Sequence, residues 1–249
     1  MKSIILAAGY ATRLYPLTKN FPKPLLKVGE KTILDRLIDD IDSNPEITEH
    51  IVVSNHRFLD IFEEWKNARQ FNSKVTVLDD GSTENENRLG AVKDILFAIE
   101  NQKIDEDILV LAGDNILDFS LSDFMEYSKQ KNASCIMRHF EGDLKKLQRT
   151  GVATIDETER VVKMQEKPQK PESSWAVPPF YIYKKDDLKY IKTACTQDSD
   201  GKTVCGTDAP GDFIAWFCSR RNVYAWLMKG HRFDIGNLES LEEARKLFR

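Results

Sequence analysis

What most constrains this chain is an alternation that fills its first 111 residues, in which short apolar runs are separated by stretches with helical spacing. Lys2 to Leu6, Ile51 to Val53, Val75 to Leu78 and Ile108 to Leu111 read as buried strands. Between them, residues 31–43 bring Ile33, Leu34, Leu37, Ile38 and Ile41 to one helical face. Residues 58–70 do the same with Phe58, Leu59, Phe62 and Trp65, and residues 88–100 with Val92, Ile95, Leu96 and Ile99. Strands that are apolar throughout and joined through helices make a parallel sheet covered on both faces. The expected class is therefore α/β, with a mostly parallel, Rossmann-like central sheet flanked by helices. Ligands of such sheets bind beyond the carboxyl ends of the strands. Gly9 and Asp114 stand just after the first and fourth strands.

The second half reads differently. Residues 133–140, 151–155, 160–165 and 179–184 are short and strand-like, and the Pro- and Lys-rich stretch 166–178 reads as a connection. This predicts a smaller inserted sheet that forms one wall of a pocket. Residues 195–212 are polar and Gly-rich, the composition of a mobile loop, and 212–219 and 237–248 read as helices. The expectation is one domain, 1–249, made of halves 1–130 and 131–249.

Composition excludes several classes of partner. With 36 Lys and Arg against 40 Asp and Glu, the net charge of −4 offers no basic surface for nucleic acid. The N-terminal apolar run is too short to span a membrane and lacks the flanks of a signal peptide, so a cytoplasmic protein is expected, with no membrane partner. Association into a homo-oligomer is allowed. Cys135, Cys195, Cys205 and Cys218 show no Cys-x-x-Cys pair and no zinc spacing, and free thiols are expected of them. The four histidines suggest neither a triad nor a metal site, and there is no nucleophile elbow or P-loop lysine.

The chemistry is carried by four runs. The first is Leu6-Ala7-Ala8-Gly9-Tyr10-Ala11-Thr12-Arg13-Leu14, continued by Pro22-Lys23-Pro24-Leu25. A loop of small residues after a strand lets backbone N–H groups approach phosphate oxygens, and Arg13 and Lys23 add positive charge there. The second is Leu111-Ala112-Gly113-Asp114, which sets a carboxylate at a strand end, where Mg²⁺ needs few protein ligands. The third is Gln165-Glu166-Lys167-Pro168, preceded by Gly151-Val152-Ala153. The fourth is Asp79-Asp80-Gly81 with Arg88-Leu89-Gly90-Ala91, where Asn85, Asn87 and Arg88 either contact a base or cap a helix. The plain alternatives are a glycine turn with solvated cations, a helix-capping Asp and a surface Glu-Lys-Pro.

Taken in order, these runs resemble the sugar-phosphate nucleotidylyltransferase family, in the short form of its glucose-1-phosphate thymidylyltransferase-like members. The family signature is Leu-Ala-Ala-Gly-x-Gly-Thr-Arg-Leu followed by Pro-Lys-Pro, and the likeness extends over nearly the whole chain. The resemblance implies an Mg²⁺-dependent enzyme that joins a nucleoside monophosphate from an NTP to a sugar 1-phosphate, with a nucleotide half followed by a sugar-phosphate half. It implies catalytic roles for Arg13 and Lys23, and nucleotide contacts from Leu6, Ala8, Gly9, Thr12, Arg13 and Gly90. It implies sugar-phosphate contacts from Gly151, Glu166 and Lys167, with Glu166 on sugar hydroxyls and Lys167 on phosphate. It also implies metal ligation by Asp114 and by Asp234, the latter within Phe233-Asp234-Ile235-Gly236, which is similar to the family's late aromatic-x-Asp-x-Gly element. The family's second glycine is Ala11 here. A methyl group narrows the space at the phosphates and Ala tolerates positive φ poorly, but no N–H donor is lost. Markers of thymidylyl or uridylyl specificity are not recognisable. A cytidylyltransferase for phosphocholine or a similar small phosphate, and a non-catalytic nucleotide-sugar-binding paralogue, are the competing readings; the latter would be expected to have lost Arg13 or a metal Asp.

Overall fold

The structure, a computed structural model, describes residues 1–248. From the N-terminus come β1 (Lys2–Leu6), the short β2 (Lys27–Val28) and β3 (Lys31–Thr32), α1 (Ile33–Asp42), β4 (Glu49–Ser54), α2 (Leu59–Asn67) and β5 (Lys74–Asp79). Then follow α3 (Ala91–Asn101), β6 (Ile108–Ala112), β7 (Asn115–Leu117), α4 (Ser122–Lys131) and β8 (Ser134–Phe140). The remainder is α5 (Leu144–Leu147), β9 (Gly151–Ile155), β10 (Val161–Glu166), β11 (Trp175–Val177), β12 (Phe180–Tyr183), α6 (Leu188–Cys195), α7 (Pro210–Phe217), β13 (Val223–Leu227), β14 (Arg232–Asp234) and α8 (Leu238–Leu247). The class is α/β, with a large central sheet, a mostly parallel core of strands and two small two-stranded sheets. The elements gather into two compact units that interleave along the chain.

The first unit comprises Met1–Arg88, Leu111–Ser122 and Lys229 onward. Its strands run in the order β6-β1-β4-β5. β1 pairs with β4 and β4 with β5, both in parallel, with Leu6 opposite Val53 and Ser54 opposite Asp79. Every residue of β4 is buried, which is what an apolar run without alternation demands. Helix α1 starts with a reciprocal cap in which Thr32 Oγ1 accepts the Asp35 N–H and the Asp35 carboxylate accepts the Thr32 N–H. Leu14, Leu26 and Val28 from the loop after β1 pack with Ile33, Ile116, Ile235 and Leu241 in one buried cluster. That cluster anchors the loop's far end with residues more than 200 positions away, so the loop can present backbone without being floppy.

The second unit comprises Leu89–Val110 and Asp123–Met228. Its strand order is β10-β9-β11-β8-β12-β6, and β13 lies against β8. β10 with β9, β11 with β8 and β9, and β12 with β8 are antiparallel, while β13 with β8 is parallel. β11 falls in the stretch that reads as a connection. It is buried because it pairs on both sides, and a three-residue strand carries no periodicity of its own. Helices α4 and α6 also occupy stretches left unassigned by the sequence pattern. The segment after α6 is not a free loop. Gln197 bridges Thr203, and the carbonyls of Thr207 and Asp208 accept the Val92 and Ala91 N–H groups at 3.1 and 3.0 Å. These are donors that the first turn of α3 leaves without helical partners. All four cysteines are free.

Candidate active site

In the first unit the loop after β1 is held by its carbonyls. Leu6 O accepts the Gly113 N–H at 3.0 Å, Ala8 O accepts Asn55 Nδ2 at 3.0 Å, and Ala11 O accepts the Leu14 N–H at 2.9 Å and Thr18 Oγ1 at 2.8 Å. The N–H groups from Gly9 to Arg13, by contrast, donate to no protein acceptor among the described residues. Protein backbone donors are normally paired, so a row of unpaired ones facing outward is a ready anion site. A Cβ added at Gly9 would meet nothing within 4 Å, so protein packing does not require glycine there. The open space lies where an incoming phosphate would come close to the chain.

Ala11 adopts φ 46° and ψ 44°, the left-handed region, which costs an L-residue roughly 1–2 kcal/mol. The departure from the family's glycine therefore falls on a position whose backbone does favour glycine. The Ala11 methyl packs against the buried cluster around Leu14, which offsets part of that cost. Thr12 and Arg13 are exposed, and Arg13 has neither an ion pair nor a hydrogen bond among the described residues.

Lys23 lies between Pro22 and Pro24 in a single 3₁₀ turn and is only 7% exposed. Its Nζ donates to Asp114 Oδ2 at 2.6 Å, while Asn115 Nδ2 donates to Asp114 Oδ1 at 2.7 Å. Burial raises the Asp114 carboxyl, but Lys23 and then Arg232 outweigh it and hold the group below the ordinary carboxylate range. β14 pairs antiparallel with β7, setting Asp234 opposite Asn115, and the Ile235 N–H donates to Asp114 O at 3.2 Å. Two carboxylates separated by 120 positions are thus brought onto neighbouring backbone. Arg232 is placed between their segments, 2.7 Å from Asn115 Oδ1 and 3.5 Å from Asp234 Oδ2. Asp234 itself is exposed. No group of three or more His, Cys, Asp or Glu side chains is arranged for a metal among the described residues, so the protein supplies these two hard oxygen donors. That donor set fits Mg²⁺, which keeps waters and takes phosphate oxygens.

The second unit holds the remaining expected residues. Glu166 ends β10 opposite Gly151, and Val177 of β11 flanks the same glycine. A Cβ at Gly151 would come 2.6 Å from Met164 Cε and 3.3 Å from Glu166 Oε2, so glycine makes room for the carboxyl. Gly211, in the first turn of α7, does the same from the other side, because a Cβ there would collide with Glu166 Oε2. The Glu166 side chain is 14% exposed and receives no hydrogen bond from the protein among the described residues. Burial pushes its carboxyl up to about 7, against the pull of Lys167 Nζ at 3.8 Å and with Asp212 adding to the rise. Lys167 has φ 46°, a strained backbone for lysine, and an exposed side chain.

Gly90 has φ 93° and precedes α3. A Cβ there would lie 2.6 Å from Thr207 O, so both dihedral and space require glycine at that position. Asn87 accepts the Thr83 and Glu84 N–H groups, and Arg88 donates to Asn85 Oδ1 at 2.8 Å; these residues order the turn before α3. Gly211, Arg232 and Asn115 were not legible from motif spacing. The Pro210-Gly211-Asp212 helix start was the one visible signal for the first of them.

A nucleotidyl transferase family model matches residues 2–249. A Bacillus anthracis protein assigned as a glucose-1-phosphate thymidylyltransferase, solved with sucrose, is 26% identical with a TM-score of 0.82, covering 100% of this chain and 95% of that one. A UDP-glucose pyrophosphorylase solved with UDP-glucose is 19% identical with a TM-score of 0.79, covering 99% and 97%. An apo UDP-glucose pyrophosphorylase is 18% identical with a TM-score of 0.78, over the same shares. The last two show the fold alone.

Proposed function

Because this chain belongs to the nucleotidyl transferase family, we propose that it transfers a nucleoside monophosphate from an NTP to a hexose 1-phosphate, such as glucose 1-phosphate, releasing pyrophosphate. The observation that carries this reading is the row of unpaired N–H donors from Gly9 to Arg13, ended by an unpaired guanidinium. A triphosphate has the oxygens to occupy such a row.

A nonbridging oxygen of the sugar phosphate attacks the α-phosphorus. The bond from that phosphorus to the bridging oxygen of the β-phosphate breaks, and pyrophosphate departs with the electron pair. A phosphate monoester is already ionised near neutral pH, so no general base is needed. The protein positions the groups and stabilises charge. Arg13 spans oxygens of the α-phosphate and the departing pyrophosphate with its planar fork. Lys23 holds the phosphates and meanwhile keeps Asp114 ionised. Asp114 and Asp234 would hold Mg²⁺, which supplies charge neutralisation at the α-phosphate when bound. Glu166 accepts hydrogen bonds from sugar hydroxyls, for which its unpaired carboxyl is suited, and Lys167 steadies the sugar phosphate. Gly151 keeps the wall thin enough for that carboxyl. We place the reaction in the cytoplasm, where nucleoside triphosphates and reduced thiols coexist. Among the described residues no helix is long and apolar enough to cross a membrane.

The test is pyrophosphate release over a matrix of nucleotides against hexose 1-phosphates and phosphocholine, with magnesium or with EDTA. Turnover with a hexose 1-phosphate is expected, and Asp114→Asn and Asp234→Asn should each lower it by at least ~10²-fold. Full turnover in EDTA would remove the metal from the mechanism. Activity confined to CTP with phosphocholine would replace the sugar, and no turnover with any pair would leave a binding protein.

A further inference from the structure

The transfer mechanism makes no use of Asp80, the residue after β5. Its neighbour Asp79 turns to the exposed His56, with His56 Nδ1 2.6 Å from Asp79 Oδ2. Asp80 is only 9% exposed. Its Oδ1 accepts both the Ser82 N–H and Ser82 Oγ, each at 2.7 Å, in a tight turn that Gly81 permits with φ 79°. Its Oδ2 is buried and accepts nothing. A buried carboxylate oxygen without a donor is destabilising, and few native groups are left so. Burial raises this carboxyl above its ordinary range, as expected of an acceptor lacking its donor.

The place of this orphan oxygen is informative. The Asp80 N–H donates to Ser54 O at 2.9 Å and the His56 N–H to Ser82 O at 2.9 Å, so the turn is fastened to the carboxyl ends of the parallel strands β4 and β5. Tyr10, within the loop of unpaired N–H groups, is 3.4 Å from Ser82 Oγ through its hydroxyl, and the adjacent Asn55 fixes Ala8 O. A chain of side chains, Tyr10 to Ser82 to Asp80, therefore joins the phosphate loop to the free acceptor. This end of the strands is where α/β sheets bind ligands.

We propose that Asp80 Oδ2 selects the nucleotide by accepting a hydrogen bond from an exocyclic amino group, favouring adenine, cytosine or guanine over uracil and thymine. The inference rests on the transfer reading for its choice of an NTP as ligand. A carboxylate oxygen can only accept, and an amino group can only donate to it. Uracil and thymine offer one N–H flanked by two carbonyl oxygens, which a carboxylate approaching that N–H would meet at close range. Ser82 locks Oδ1, so the base sees a fixed acceptor.

Titration calorimetry of the full chain with ATP, CTP, GTP, UTP and dTTP reads this directly. The best amino-bearing nucleotide should bind about 10- to 100-fold more tightly than UTP and dTTP, the range for leaving a buried acceptor unpaired. Asp80→Asn should reverse the preference, because Ser82 will hold the amide oxygen and leave the amide N–H₂ as a donor in place of Oδ2. Asp80→Ala, checked for folding by its thermal melt, should erase the preference without reversing it. Equal or tighter binding of UTP or dTTP by the wild type, no binding of any nucleotide, or an unchanged ratio in both folded variants would overturn the proposal. Pyrophosphate release with the same nucleotides separates the two readings. Turnover that favours UTP or dTTP sinks the role of Asp80 alone, and selective binding without turnover sinks transfer alone.

Discussion

Glu166→Gln should stabilise this protein at alkaline pH and leave it unchanged in acid. The Glu166 carboxyl is enclosed by Gly151, Met164 and Gly211, has no protein hydrogen-bond donor among the described residues, and is pushed by burial up to about 7. In the unfolded chain it titrates at its ordinary value of 4.5. Below 4.5 both states carry the proton. Between 4.5 and 7 the unfolded chain has lost it while the folded protein keeps it, so stability falls as pH rises through that window. Above 7 both are ionised and the loss is complete, at about 3 kcal/mol. A glutamine of the same shape does not titrate. The stability difference between variant and wild type should therefore grow by about 2.5 kcal/mol from pH 5 to pH 8, with every other titration cancelling. The amide N–H₂ left without an acceptor lowers the whole curve by about 1 kcal/mol without changing its slope. Urea unfolding of both proteins at pH 5, 6, 7 and 8 measures the difference. A difference that stays flat with pH, or that falls as pH rises, would refute the assignment of a buried, donor-free carboxyl.

The same carboxyl should report ligand binding. If sugar hydroxyls donate to it, the ionised form is favoured, and glucose 1-phosphate binding at pH 7 should release about half a proton, read by calorimetry in buffers of different ionisation enthalpy and absent in Glu166→Gln. Arg13→Lys should lower kcat by about 10²-fold while nucleotide affinity changes little, since a point charge cannot span two phosphate oxygens; unchanged single-turnover rates would reduce Arg13 to a surface charge. Gly90→Ala should cost more than about 2 kcal/mol, from the positive φ and from the Cβ placed 2.6 Å from Thr207 O, and an unshifted urea midpoint would show that the α3 start is not held as described.

The first-unit strands were legible because their cause is local: a fully buried parallel strand must be apolar throughout, and β1, β4 and β6 are. The phosphate loop was legible for the same reason. Small residues, a strand before and an arginine within are consecutive in the chain, and even the awkward dihedral at Ala11 could be anticipated from residue chemistry. β11 was not legible, because three residues gain their strand state from partners on both sides. Nor was the tethering of the segment before α7, because its carbonyls cap a helix more than 100 residues earlier.

At the site the division follows the same line. Residue types alone marked Lys23, Asp114, Asp234 and Glu166 as chemical candidates. Only the tertiary structure set Lys23 Nζ 2.6 Å from Asp114, tied Asp234 to the neighbouring rung, stripped Glu166 of hydrogen-bond partners and left Asp80 Oδ2 alone. A motif names groups, but a carboxyl's protonation and a donor's freedom depend on which distant atoms surround it. Those neighbours, 91 positions apart for Lys23 and Asp114, are chosen by sheet register and burial rather than by any spacing along the chain.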